Sequence, residues 1–219
     1  MTVGGRGGPG GLGRRRLLLT LAAGVPLLAG CEAAAVLGNL AEPTNLYTLT
    51  PKSTFEQAPP VSWQLVVEEP YAAGGLNTTR IALRDSPTEL DYFAKAAWTD
   101  RAPRMVQTLL VESFENSRRI VAVGRQAIGL RSDFNLKSEL REFQAEYDKP
   151  ESAPRARVRL NAKVIKQPQR AIIASDNFEA VVQANSNSIE DIIDAFDTAM
   201  GKVLKRAVEW TLAEAQRVQ

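Results

Sequence analysis

Alternating apolar and polar positions in the second half of the chain indicate two neighbouring strands. In residues 155–165, alanine, valine and leucine occupy every second position, as in an antiparallel strand with one buried face. Gln167-Pro168-Gln169 follows as a turn, and residues 171–182 form the returning strand. The pattern therefore predicts a half-buried antiparallel pair.

Shorter apolar stretches predict the other strands. They cover residues 62–67, 79–84, 89–93 and 120–123, with turns at Ala73-Gly74-Gly75 and Asp85-Ser86-Pro87. A longer strand is expected over 136–147, beside the antiparallel pair. Leu140 and Phe143 fall on opposite faces of this strand, and a β-bulge between them would explain the mismatch.

Two segments have the spacing of amphipathic helices. In 101–116 apolar residues recur every three or four positions. Asp100 is a candidate N-cap for this helix, and Pro103 is tolerated in its first turn. The spacing predicts a helix that begins a few residues after the 79–84 and 89–93 strands, which the turn at Asp85-Ser86-Pro87 joins as a hairpin.

A longer apolar stripe predicts a C-terminal helix over 188–216. Asn187 or Ser188 can cap it, and Glu190 stands three residues after Asn187, as in a capping box. Strands in pairs with two amphipathic helices predict an α+β fold. We expect an antiparallel or mixed sheet with both helices packed on one face, the second helix long and C-terminal.

The N-terminal residues have the organisation of a secretory signal peptide. Arg14, Arg15 and Arg16 form a basic block, and the apolar run 17–29 that follows is too short to span a membrane. Leu28-Ala29-Gly30-Cys31 resembles a bacterial lipobox. That resemblance implies cleavage after residue 30 and acylation of Cys31. A buried core thiol at Cys31 and a twin-arginine export signal at Arg14-Arg15 are the alternatives.

Three regions are therefore expected along the chain. They are a lipoprotein signal peptide (1–30), a lipidated tether with an extended segment (31–60), and a single folded domain (61–219). Glu32 follows the cysteine, and by analogy with enterobacteria the lack of Asp there favours an outer-membrane anchor. The domain would face the periplasm.

The composition excludes most catalytic chemistry. The chain has no His and one Cys, so it has no Ser-His-Asp triad, no histidine metal motif and no internal disulfide. Without residues 1–30, which hold four Arg and no acids, 23 basic and 25 acidic residues remain. That balance argues against nucleic-acid binding.

Asp191 and Asp194 share a helix face but are best interpreted as a solvated pair near a helix N-terminus. We predict no catalytic residues, no cofactor, no metal site and no enzyme activity.

A basic stripe is the sharpest charged feature of the sequence. Arg155, Arg157, Arg159 and Lys163 share one face of the predicted strand. They could contact lipid head groups or an acidic partner, or pair with Glu139, Glu142 or Glu146 on the adjacent strand, which is the favoured interpretation. The apolar stripe of the last helix is interpreted as core rather than a groove, with Trp210 at its edge.

Several short motifs recur in order along the folded part of the chain, and their residues are Leu46, Tyr47, Leu49, Gly75, Leu76, Tyr92 and Trp98. Together they resemble the ABC-type transport auxiliary lipoprotein family, which includes the paraquat-inducible lipoprotein. Phe134-Asn135-Leu136 and the last helix from Ala195 to Trp210 continue the resemblance in the same order. Phe93 is a minor departure from the pattern.

The resemblance implies a docking or tethering role at the outer membrane. Such lipoproteins accompany an ABC permease, its ATPase and a periplasmic mammalian-cell-entry (MCE) domain protein in lipid trafficking between membranes. Phospholipid is then a candidate ligand, and the membrane is reached through Cys31. One alternative is a general envelope-assembly lipoprotein that binds protein or peptidoglycan. A lipid-anchored carboxylate hydrolase is another.

Overall fold

The computed structural model describes residues 43–125, 131–149 and 151–219. The predicted signal peptide and the lipobox lie outside these ranges. The elements within them are β1 (Asn45–Tyr47), β2 (Val61–Val67), β3 (Tyr71–Ala72), β4 (Arg80–Ser86), β5 (Glu89–Trp98), α1 (Ala102–Ser117), β6 (Ile120–Arg125), β7 (Phe134–Glu146), β8 (Arg155–Lys166), β9 (Ala171–Gln183) and α2 (Ile189–Gln216). The strands form one mixed sheet. The α+β prediction is confirmed, including the long C-terminal helix.

Strands β7, β8 and β9 form an antiparallel block along one side of the sheet. The β8–β9 hairpin is paired from Arg155 opposite Gln183 to Lys166 opposite Ala171, with one register shift between Val164 and Ile165. The β7–β8 register shifts between Leu140 and Glu142. This irregularity is the expected bulge, and it turns both Leu140 and Phe143 into the core, where each is 1% exposed.

The other edge of β7 is shared by three short parallel partners. β2 pairs with its beginning, β3 with its middle and β4 with its end. β6 extends the sheet beyond β2, and β5 and then β1 extend it beyond β4. β4 and β5 are the antiparallel hairpin that the sequence predicts.

The core lies between one face of the sheet and the two helices. Trp98, Phe143 and Phe196 join β5, β7 and α2, with ring centroids 5.2–5.5 Å apart. The apolar positions of β8 and the stripe of α2 are both buried. The interpretation of that stripe as core is therefore confirmed.

The two helices begin differently from one another. Ser188 caps α2 and accepts a hydrogen bond from the Asp191 backbone N–H at 3.3 Å. Asn187 is not the cap, because its Oδ1 accepts a hydrogen bond from the Tyr147 hydroxyl at 2.7 Å.

The predicted Asp100 cap of α1 is wrong. Arg101 occupies the N-cap position, and no side chain caps the helix. Pro103 in the first turn has no N–H to offer, and the Ala102 N–H donates to the Thr78 carbonyl at 3.0 Å. The Asp100 carboxylate instead pairs with Arg104 at 3.2 Å.

Candidate functional site

Across residues 43–125, 131–149 and 151–219, no cluster of three or more potential ligands could hold a metal ion. Asp191 and Asp194 lie in the first two turns of α2, as the solvated-pair interpretation requires. No helix in this part of the chain is long and apolar enough to cross a bilayer. The structure places most of the sequence-predicted residues in three regions. They are a corner that joins a turn to two strands, a strap of chain that crosses the helices, and a charged face of the sheet.

The motif corner consists of Gly75, Leu76, Arg80, Tyr92 and Trp98, which the fold brings together from a turn and two strands. The Tyr92 hydroxyl donates a hydrogen bond to the Gly75 carbonyl at 3.0 Å. The Arg80 guanidinium carbon lies 3.6 Å from the centroid of the Tyr92 ring, within the range of a cation–π contact. Tyr92 therefore fastens the glycine turn to β5.

The same turn holds the start of α1. The Trp98 backbone N–H donates to the Thr79 carbonyl at 2.7 Å, and the Trp98 ring is buried. Arg101 donates hydrogen bonds to Asn77 at 2.5 Å and to Glu69 at 2.9 Å. Together these contacts join the turn, β5 and the start of α1.

A strap formed by residues 48–60 runs from β1 across the helices. Leu49 is buried, and Phe55 packs against the core. The Thr50 N–H donates to Asp197 Oδ1 at 2.6 Å, and the Thr50 hydroxyl donates to Oδ2 at 2.8 Å. Asp197 of α2 therefore accepts hydrogen bonds from both the backbone N–H and the hydroxyl of Thr50.

Further along, the strap is bound to α1 and to the later turns of α2. The Lys52 N–H donates to Ser113 Oγ at 3.0 Å, and the Lys52 carbonyl accepts from Asn116 at 3.1 Å. The Glu56 N–H donates to Glu209 at 3.1 Å. Although a body beginning at residue 61 is expected from the sequence, residues 43–60 pack within the same compact unit as the sheet and helices.

The basic stripe lies on the sheet face opposite the helices and is largely neutralised there. Arg159 pairs with Glu142 at 2.6 Å, and Arg157 pairs with Glu146 at 2.9 Å and also with Glu179. The hydrogen bond to Glu146 raises the pKa of the Arg157 guanidinium above its ordinary value. The cross-strand pairing expected for these two arginines is present.

The ends of the stripe differ from its middle. Arg155 pairs with Asp148 at 2.7 Å, while Glu139 pairs with Arg141 rather than with the stripe. Lys163 stands opposite Lys137 of β7 and Ser175 of β9. Within the described ranges it has no carboxylate partner.

Trp210 lies where α2 packs on β9. Its ring meets the buried Phe178 edge to face, with centroids 5.4 Å apart, and the side chain is only half-buried. Trp210 therefore contributes to the helix–sheet interface and leaves one edge at the surface.

Comparisons with known proteins agree with this architecture. A family model described as the ABC-type transport auxiliary lipoprotein component matches residues 47–208. Protein XCC0632 from Xanthomonas campestris has a similar crystal structure, with 34% identity and a TM-score of 0.74 over 79% of this chain and 97% of that one. A crystal structure of an uncharacterized protein shares the fold at 15% identity, with a TM-score of 0.56 over 80% of this chain and 98% of that one.

A curated relative is longer than this chain. An uncharacterized protein of Bradyrhizobium diazoefficiens is 27% identical over 189 residues, which are 85% of this chain and 49% of that protein. The chain thus spans about half the length of that relative. Since the family model takes in the whole strap, the motif corner and most of α2, this chain belongs to the family of ABC-type transport auxiliary lipoprotein components.

Proposed function

We propose that this protein is the outer-membrane-anchored, periplasmic auxiliary subunit of an ABC/MCE-type system that moves lipid between membranes. It acts by docking and tethering rather than by catalysis. The observation that carries the proposal is the family match over residues 47–208. The energy for transport then comes from the ATPase chain, and the MCE-domain protein is the direct partner.

In this proposal the residues between Cys31 and β1 connect the anchor to the folded body, and the strap that follows β1 fastens this end of the chain to the helices. Cys31 carries the acyl chains, and burial of each methylene contributes about 0.8 kcal/mol to membrane binding. The residues between Cys31 and β1 reach roughly 45–50 Å when extended. Asp197, Ser113 and Glu209 hold the strap on both helices. A load on the anchor therefore reaches β1 first, and the strap contacts hold the chain immediately behind it to the helices.

Leu46 is the motif residue best placed to contact the partner. It is 65% exposed, whereas Leu49 of the same motif is buried. It lies on β1, which pairs with β5 on one side and has no second strand partner among the described elements. An apolar side chain on an open strand edge is suited to a protein contact.

The test is co-purification of the full chain with the MCE-domain protein encoded beside it, both extracted in mild detergent. A stable complex is expected, and Leu46→Ser should weaken it. Val121→Ser is the matched control, because Val121 is also an exposed apolar residue on an edge strand, β6. Mass spectrometry of the complex would identify co-purified phospholipid.

Absence of a complex between two folded proteins would contradict the transport role and favour a general envelope-assembly lipoprotein. Equal weakening by both variants would remove Leu46 from the interface while leaving the docking role in place.

A further inference from the structure

An open groove of about 880 Å³ lies where β7 begins and the β8–β9 hairpin turns. Four cationic side chains line it: Arg131, Lys137, Lys163 and Arg170. They come from the residues before β7, from β7 itself, from β8 and from the hairpin turn. The fold therefore gathers positive charge that is dispersed in the sequence.

The charge pattern in the groove is unfavourable without a counter-charge. Lys137 and Lys163 are direct cross-strand partners, and like charges in that position repel each other. Lys137 reaches Glu68 at 3.4 Å. No ion pair is present for Lys163, Arg131 or Arg170 within residues 43–125, 131–149 and 151–219.

The two carboxylates that line the groove are already engaged. Glu68 accepts a hydrogen bond from Asn135 Nδ2 at 3.0 Å in addition to its pair with Lys137. Asp133 Oδ2 accepts from the Gln64 backbone N–H at 2.8 Å. Because four cations face only two carboxylates, the groove keeps an excess of positive charge.

An apolar strip borders the cations. Ile172 is 59% exposed, and both it and Ile165 line the groove. Lysine acts as a point charge toward phosphate, while arginine can donate two parallel hydrogen bonds to it. Positive charge beside exposed isoleucine suits a ligand with an anionic end and an apolar end.

We propose that this groove is a binding site for a phosphate ester, with Lys163 and Arg170 as its main contacts and Arg131 and Lys137 as supporting charges. The apolar strip then receives the ester's hydrocarbon part. The same chemistry could come from a phospholipid head group or from a free phosphate ester. The inference rests on the groove itself and does not depend on the proposed MCE partner.

Calorimetric titration of the full chain in maltoside micelles tests the site. The probes are inorganic phosphate, glycerol 3-phosphate and short-chain dihexanoyl phosphatidic acid. The double variant K163Q/R170Q should weaken binding by about tenfold or more, since hydrogen bonds to charged groups contribute roughly 1.5–3 kcal/mol each. The control is K149Q/K202Q, which removes two exposed positive charges away from the groove. Thermal melting establishes that each variant is folded, and the single variant K163Q replaces the double variant if that one melts early.

Each outcome decides the proposal. Tight binding of phosphatidic acid that is lost only in the groove variants supports a lipid head group. Equal binding of glycerol 3-phosphate with the same variant pattern supports the site with a free phosphate ester as its ligand. Absence of saturable binding, or equal loss in the groove and control variants, overturns the proposal.

Discussion

At Gly75 the turn of the motif corner runs so close to β5 that a methyl group would collide with it. A Cβ built at this position would lie 2.7 Å from Leu90 Cδ2, while one at Gly74 would meet nothing within 4 Å. We expect Gly75→Ala to lower the free energy of unfolding by about 1 kcal/mol, at the low end for overpacking, because the colliding atom ends a flexible side chain. Urea denaturation measures this.

Gly74→Ala is the matched control for that substitution. It adds the same methyl group one residue earlier and should be neutral or slightly stabilising, because alanine restricts the unfolded chain. If the two variants unfold at the same urea concentration, the close approach at Gly75 has no energetic consequence.

Single residues also show which local signals can be read from the sequence. The mismatch between Leu140 and Phe143 suggests a bulge, which the structure confirms, because one extra residue in the strand returns both side chains to the same face. The Asp100 cap fails because the first N–H of α1 is satisfied by Thr78, which arrives from a distant turn. A rule based on neighbouring residues predicts the structure correctly where the interacting groups are also neighbours in the sequence.

Among the elements, the strap depends most on a single side chain. The backbone N–H and the hydroxyl of Thr50 both donate hydrogen bonds to Asp197. We expect Asp197→Ala to destabilise the protein by about 1 kcal/mol, since these hydrogen bonds are exposed to solvent. The Thr50 amide should also exchange its hydrogen faster. Hydrogen exchange followed by mass spectrometry over residues 48–60 measures the change.

Asp194→Ala provides the comparison on the same helix. Asp194 is exposed, lies one turn before Asp197 and forms no hydrogen bond to the strap. Its removal takes away the same charge and should leave exchange in the strap unchanged. Equal acceleration by both variants would attribute the effect to helix charge and would refute the role of Asp197 as the strap's anchor.

The strap could not be predicted from the sequence, because its order depends on contacts with residues that are distant along the chain. Residues 48–60 have no apolar periodicity, and four prolines lie between 43 and 60, so the segment has the composition of a linker. Its order comes from Asp197, Ser113 and Glu209, which lie far away along the chain. Sequence patterns identify elements that organise themselves, but they do not identify a segment ordered by other elements.

The neighbours of β7 show the same limit at the level of strands. The antiparallel pairing of β8 with β9 follows from alternation and a short turn, and β7 was expected beside that pair. The parallel pairing of β7 with β2, β3 and β4 has no turn signature, because parallel partners are joined by long connections. The elements were therefore predictable and their order in the sheet was not.

In the molecule as a whole, the two faces of the sheet have different roles: one is packed in the core, and the other carries charged side chains at the surface. One face carries the helices and the aromatic core, and the other carries the ion pairs of Arg157 and Arg159 and the cationic groove. The motif residues could be named from the sequence through the family resemblance. The groove could not, because Arg131, Lys163 and Arg170 belong to separate elements that only the folded sheet brings together.

Alkaline pH should destabilise the protein through Tyr147, which lies just after β7 and is hydrogen-bonded to Asn187, just before α2. Burial, and after it the negative charge of Asp85, raises the pKa of the Tyr147 hydroxyl above its ordinary value of 10.0. The unfolded chain then releases this proton at a lower pH than the folded protein does. The free energy of unfolding therefore falls as the pH rises above about 10.

Tyr147→Phe isolates this contribution. At pH 7 the variant should be less stable by about 1 kcal/mol, because the hydrogen bond to Asn187 is lost. Above about pH 10 the wild-type protein loses stability that the variant does not lose, so the difference between them should narrow. Urea denaturation at several pH values measures the difference. Tyr71→Phe, at an exposed position, should follow the wild-type profile throughout, and a constant difference between Tyr147→Phe and wild type up to pH 11 would refute the raised pKa.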